Sequence, residues 1–261
     1  MPNAQTHMAS ACDLLAQPPV QAAFPWLADN EARSALLLVA ISPDVRAVSG
    51  HMREATHFFE IPPSDPRPAP VVMLETWPQL RDPALLGTPQ AAFVAGYISH
   101  LVMDQTWVEQ VVMPGLFVDG EQWGSEHPNW RVYGILMTYL EYRAAARLPR
   151  WAIDRLGEAE PRGWLPFIKD SHLTDWCNHV VSVVERGSAK LISRLFAKTN
   201  RITPAEMEAI VQSEERMDAE CFSIVSRAQV RAFEAEAARR IKEFVTGYLS
   251  GRAPAFGIPP G

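Results

Sequence analysis

Cysteine is nearly missing from this chain: there are three, Cys12, Cys177 and Cys221, with no CxxC spacing among them. So sparse and odd a set does not frame a disulfide scaffold or a zinc ribbon, and it reads as reduced, buried thiols. Grouped positive charge is scarce too. With 24 Lys and Arg against 30 Asp and Glu the formal net charge is −6. No nucleic-acid partner is expected, because affinity for a phosphate backbone rests on clustered basic residues. No uninterrupted apolar run of about 18 residues occurs, so no membrane span is expected. The N-terminus has neither a basic segment nor a long apolar one, which argues against a secretory signal and makes the cytoplasm the expected location. Strand-like alternation, internal repeats and low-complexity tracts are also missing. What remains is helical patterning without a clear linker. The expected class is all-α, a multi-helix bundle in a single domain over residues 1–261.

With hydrophobic residues at 48% and charged residues at 21%, the chain has ample material for a core. The most apolar stretch runs from Ala91 to Met103, apolar almost all round a helical wheel, as in a helix buried on every side. Into it the sequence sets His100 and Asp104. At i and i+4 these lie about 40° apart on one helical face, near enough to reach a common point. A buried imidazole and carboxylate cost several kcal/mol unless partnered, roughly as much as a lost hydrogen bond or more. Either they satisfy each other or they hold a metal. Three further pairs offer nitrogen and oxygen donors: Thr6-His7, Pro43-Asp44 and Thr56-His57. Imidazoles mixed with carboxylates are the donor set of a catalytic zinc site that keeps a position open for water.

In chain order, Asn3 is expected to cap a first helix to about Ala16, with His7 in its second turn. A second helix is expected from Asp29 or Asn30 to Ile41, stopping near Ser42 because Pro43 disfavours helix in the residue before it. Residues 45–60 read as a loop with both signs of charge, in which Arg53 is a candidate to grip phosphate and His51 is a surface residue. Residues 62–70 read as an extended proline-rich loop. Thr88-Pro89 starts the central helix, expected to end at Pro114-Gly115, with Trp107 on the ligand face as a candidate wall for the substrate or as core. A loop from Phe117 to Trp130 carries a turn at Asp119-Gly120 and rim candidates Trp123 and Trp130. Helices are then expected from Asn129 to Leu148, from Pro149 to Gly157, and from Asp170 to about Phe196. The last carries a second His172, Asp175, His179 group, read as missing ligands, a separate site or a solvated face. Thr203 opens one long helix or two joined near Ser226, stopped by Gly251.

Taken together, MPNAQTH, an apolar helix ending in ISPD, REATHFF and GYISHLVMDQTW resemble the zinc-dependent phospholipase C family. That group includes bacterial phospholipases C, the catalytic domain of glycosylphosphatidylinositol-specific phospholipase D and, more distantly, the S1/P1 nucleases. The resemblance covers about residues 1–110, and its specific part is the ordered set TH, PD, TH and HxxxD. It implies that residues 1–115 are a metal-binding half, residues 116–250 further packing helices and residues 251–261 a loose tail. It also implies Asp44, His57, His100 and Asp104 as ligands of one zinc, with His7 on a second ion and Asp104 bridging. The secreted relatives begin with a metal-ligating Trp where this chain has Met-Pro-Asn, and Val108 stands where phospholipase D-like relatives have a His. One or two zinc ions are therefore expected. The implied activity is hydrolysis of a phosphate ester or phospholipid by metal-activated water, with Asp44 or a nearby carboxylate taking the proton and Arg53 and Trp107 meeting the substrate. The alternatives are a non-catalytic helical protein, with or without a structural metal, and a hydrolase of a small cytosolic phosphodiester.

Overall fold

A computed structural model describes residues 2–117, 124, 126–186, 196–198 and 202–252. Among these residues every regular element is a helix, and one cluster of buried apolar side chains runs from Met8 to Tyr248. Its axis is the central helix Thr88–Trp107, buried at every position from Ala91 to Trp107. Such burial leaves no polar face, so the helix must be covered by neighbours on all sides. The helix Asn30–Ile41 lies along one side and the helix Arg227–Leu249 along another. The first helix, Ala4–Leu15, packs on Asn30–Ile41 and on the helix Trp130–Arg147.

Gly96 determines how close the central helix comes to Asn30–Ile41. A Cβ placed there would lie 2.2 Å from Val39 Cγ1 and 2.7 Å from Leu36 O. Only glycine admits that approach. It carries the C-terminal turn of Asn30–Ile41 up to the central helix, where its last carbonyls need partners. They find side chains: Ser42 Oγ donates to Leu38 O at 2.8 Å, His100 Nδ1 to Ala40 O at 2.7 Å and Trp176 Nε1 to Ile41 O at 2.6 Å.

Several boundaries differ from the sequence reading, each for a local reason. Asn3 precedes the first helix but makes no side-chain cap bond. Buried Glu141 serves instead, accepting from Gln5 N and Thr6 Oγ1, each at 3.3 Å. The central helix does not stop at Pro114 but widens into a π-helix over Val108–Leu116. Pro114 has no N–H to give to the turn before it, and beside it Gln229 Nε2 from the last helix donates to Gln110 O at 2.9 Å. Residues 45–60, expected as loop, contain the helical turns Arg46–Ser49 and Glu54–His57, closed by Gly50 at φ 71° and Phe58 at φ 59°. The proline-rich segment gives way to a helix at Ala69–Thr76, with Pro70 in its first turn, where no N–H is required. After Thr203, whose hydroxyl accepts from Glu206 N, the helix Pro204–Gln212 ends at Ser213, and Ser226 caps the final helix. The Asp119-Gly120 turn, Trp123, most of the stretch toward Phe196 and the tail beyond Arg252 lie outside the described residues.

Gly96→Ala should destabilise the protein by about 1–3 kcal/mol through overpacking. For a chain of this size that is a fall in Tm of roughly 2–12 °C, read by circular dichroism. A Tm within about 1 °C of wild type would contradict so tight a helix crossing.

Candidate metal centre

Four separate elements deliver polar side chains to one buried point. His7 comes from the second turn of the first helix, and Asp44 from the 3-10 turn Ser42–Val45 that continues Asn30–Ile41. His57 ends the single turn Glu54–His57, and His100 and Asp104 face inward from the central helix. Asp104 is the hub. Its Oδ1 lies 3.3 Å from His7 Nε2, and its Oδ2 lies 3.3 Å from both His57 Nε2 and His100 Nε2. His57 Nε2 also lies 3.5 Å from Asp44 Oδ1. The His7 and His100 rings stack at 3.7 Å with 9° between their planes. The three imidazoles and Asp104 are sealed from solvent, whereas the Asp44 side chain is 30% exposed, so the cluster meets water on the Asp44 side.

The outer contacts aim the inner atoms. Ala40 O can only accept, so His100 carries its proton on Nδ1 and turns the Nε2 lone pair toward Asp104. His57 Nδ1 lies 3.0 Å from Thr56 Oγ1, which again leaves Nε2 facing inward. His7 Nε2 lies 3.2 Å from Pro2 O as well as facing Asp104, and since the carbonyl can only accept, Nε2 carries the proton of the neutral ring when that bond is made. Neither His57 Nε2, nor His100 Nε2, nor either oxygen of Asp104 makes a hydrogen bond, although all are buried. Buried polar atoms are rarely left so.

A cation would resolve that arrangement. Zinc bonds to imidazole and carboxylate are about 2.0–2.2 Å long, and a tetrahedron of such bonds has edges of about 3.3–3.5 Å. The donor separations of 3.3, 3.3 and 3.5 Å match those edges, and they are longer than a charge-assisted hydrogen bond of about 2.7–2.9 Å. Two overlapping donor sets come within ligating range: His7, His100 and Asp104, and Asp44, His57 and His100. Burial works to raise the Asp44 carboxyl, but the His57 and His100 imidazoles outweigh it and hold it at about 2. Burial likewise opposes ionisation of Asp104, and His100, His57 and His7 together keep it well below the usual carboxylate range. Burial lowers His7, helped by the charge of His100; at His100 the pull of Asp104 overcomes burial and raises it.

All five expected ligands therefore meet, and Arg53 joins them. Its Nη2 is 3.9 Å from Asp104 Oδ2, its Nη1 donates to Phe59 O at 2.8 Å, and its guanidinium lies 4.3 Å from the centre of the Phe59 ring. Trp107 does not join them. Two helical turns after His100 carry it about 10 Å along the axis. It is fully buried there, edge-on to Phe233 at 5.0 Å, and is a core residue rather than a substrate wall. The second His/Asp group does not assemble either. His172 sits edge-on to His51 at 5.9 Å, His179 stacks on Trp176 at 5.4 Å, and no third ligand joins them among the described residues. Trp130 packs on Tyr133 at 4.9 Å. Sequence reading missed Glu141, which secures the turn bearing His7, and the Pro2 and Ala40 carbonyls. A Glu on the inward face of an otherwise apolar helix was the available signal for the first; backbone carbonyls leave none.

Zinc at 100 times its Kd should stabilise the folded protein by about 2.7 kcal/mol, a rise in Tm of roughly 5–11 °C. His100→Ala and Asp104→Ala should each abolish the rise. Ligand imidazoles must be deprotonated to bind metal. Below its raised pKa His100 is an imidazolium whose pairing with Asp104 supports the metal-free protein; that support is lost as pH rises through the folded value. The zinc-induced rise should accordingly grow between about pH 6 and 8. A rise that is unchanged in His100→Ala, or that shrinks with pH, would remove His100 from the ligand set.

A scan against protein-family models, a search of curated proteins and a search of solved structures find no match to this chain, so the case for a metal centre stands on the geometry of its own side chains.

Proposed function

We propose that this chain is a zinc-dependent hydrolase of a phosphate ester, in keeping with its resemblance to the zinc-dependent phospholipase C family. The observation that carries the reading is the set of buried donors at tetrahedral-edge spacing, open to water only where Asp44 stands. Zinc bound there would lower the pKa of a coordinated water to about 7 and so supply hydroxide at neutral pH. Asp44, fully ionised at neutral pH and partly exposed, has a carboxylate placed to accept a proton on that open side. Arg53 sets a cationic guanidinium beside the same opening, held by Phe59 O and the Phe59 ring. A planar guanidinium suits the oxygens of a phosphoryl group and offsets their charge. Burial of the three imidazoles and Asp104 excludes water from the remaining faces, which strengthens each electrostatic contact.

The near-complete burial of four of the five ligands also favours a second reading, a closed structural zinc in a non-catalytic helical protein. An assay separates the two. Chromogenic phosphodiester, phosphomonoester and phospholipid substrates should be offered to the zinc-loaded protein with and without chelator. Chelator-sensitive turnover of one class is expected, with Asp104→Asn lowering kcat at least about 100-fold. Arg53→Ala should mainly raise KM, by about tenfold or more for loss of a charge-assisted contact. Stoichiometric zinc without turnover on any class would leave the structural reading in place.

A further inference from the structure

The two inward-facing histidines of the central cluster are held from behind by different chemistry. His100 Nδ1 meets Ala40 O at 2.7 Å, a pure acceptor, which admits one tautomer only. His57 Nδ1 meets the Thr56 hydroxyl at 3.0 Å, and a hydroxyl both donates and accepts. Thr56 is fully buried, and its carbonyl is pinned by Tyr97 OH at 2.7 Å, so the side chain is not free to leave. Its one alternative acceptor is Arg53 O at 3.2 Å. That carbonyl already receives Thr56 N at 3.0 Å and His57 N at 2.8 Å, which makes a third donor weakly held. The hydroxyl proton therefore has two comparable places to point, Arg53 O or His57 Nδ1.

Resting on the metal-centre reading, we infer that Thr56 is a positioning residue that lets His57 alternate between hydrogen-bond donor and metal ligand. With metal bound, the Thr56 hydroxyl donates to Arg53 O and accepts from His57 Nδ1–H, and the Nε2 lone pair faces the ion. Without metal, the hydroxyl turns to donate to Nδ1. The neutral ring's single proton is then on Nε2, facing Asp44 Oδ1 at 3.5 Å and Asp104 Oδ2 at 3.3 Å, where its positive end offsets the carboxylates in the cation's place. The ring holds one proton in both states; water carries it from one nitrogen to the other. His100, locked by Ala40, has no such freedom. One ligand is thus permanently prepared for metal and its neighbour protects the site when metal is absent.

The test uses the full chain with zinc as the probe. In ¹⁵N-resolved histidine spectra, His57, assigned by its loss in His57→Gln, should carry its proton on Nδ1 in the zinc-loaded protein and on Nε2 in the metal-free protein. Thr56→Val, close in shape but without the hydroxyl, should weaken zinc about 10–100-fold, and Thr56→Ser should restore it to within about threefold. Cobalt substituted for zinc should show a changed ligand-field spectrum in Thr56→Val and not in Thr56→Ser. A His57 proton on Nδ1 in both states of the wild type overturns the switch even if Thr56→Val fails to fold. Unchanged zinc affinity in folded Thr56→Val overturns the positioning role alone. No zinc binding by the wild type overturns the metal centre and this inference with it.

Discussion

A carboxylate sealed from solvent, with three imidazole nitrogens around it, is the constraint to which the rest of this fold answers. Asp104 is fully buried in the middle of the most apolar helix of the chain. An ion in that setting costs several kcal/mol unless opposite charge and donors compensate it. The compensation comes from His7, His57 and His100, with Arg53 behind them. The separations of 3.3 Å are longer than a charge-assisted hydrogen bond of about 2.7–2.9 Å and are of the size that donors sharing one cation would show. The central helix is where it is because it presents this group, and its neighbours are where they are because they answer it.

Backbone geometry does most of that work. Gly96 lies one helical turn before His100, and the close crossing it permits brings Ala40 O within 2.7 Å of the His100 ring. The same crossing brings the end of Asn30–Ile41 near enough for the next turn to offer Asp44. A carboxylate at a helix C-terminus is poorly placed with respect to the dipole, and it is tolerated because imidazoles face it. On the opposite side, Glu141 holds the first turn of the first helix through Gln5 N and Thr6 Oγ1, which fixes the turn that carries His7. Turning His7 off the point would require breaking that cap.

The all-helical class, and the five side chains that meet at one point, were legible because each signal is local. Periodicity, capping residues and a proline after Ile41 mark the helices, and a His and Asp four apart inside an apolar run cannot be explained as surface. Other features depend on partners distant in sequence. The π-helical stretch that carries Pro114 is braced by Gln229, 119 residues beyond Gln110, whose amide donates to the Gln110 carbonyl. The turns Arg46–Ser49 and Glu54–His57 hide in a segment whose composition is that of a loop. Trp107 satisfied the helical spacing of a ligand-face residue but not its height along the axis, a coordinate that a wheel projection discards. Glu141 sits in a plainly amphipathic helix, and only the fold shows that its carboxylate caps another helix.

Asp104 divides its two oxygens unevenly, and that division bears on how much charge the site can carry. Oδ1 faces His7 and, through His7 Nε2, the Pro2 carbonyl; Oδ2 faces His57, His100 and Arg53. An ion would find its donors in one of two sets, Asp44, His57 and His100, or His7, His100 and Asp104. The two donor sets share His100, whose single inward lone pair serves one ion at a time. The set containing Asp44 is the one that reaches solvent. His7 then has a role that does not depend on a second ion: stacked at 3.7 Å on His100, it closes the inner wall of the cluster and leaves the Asp44 side as the way in.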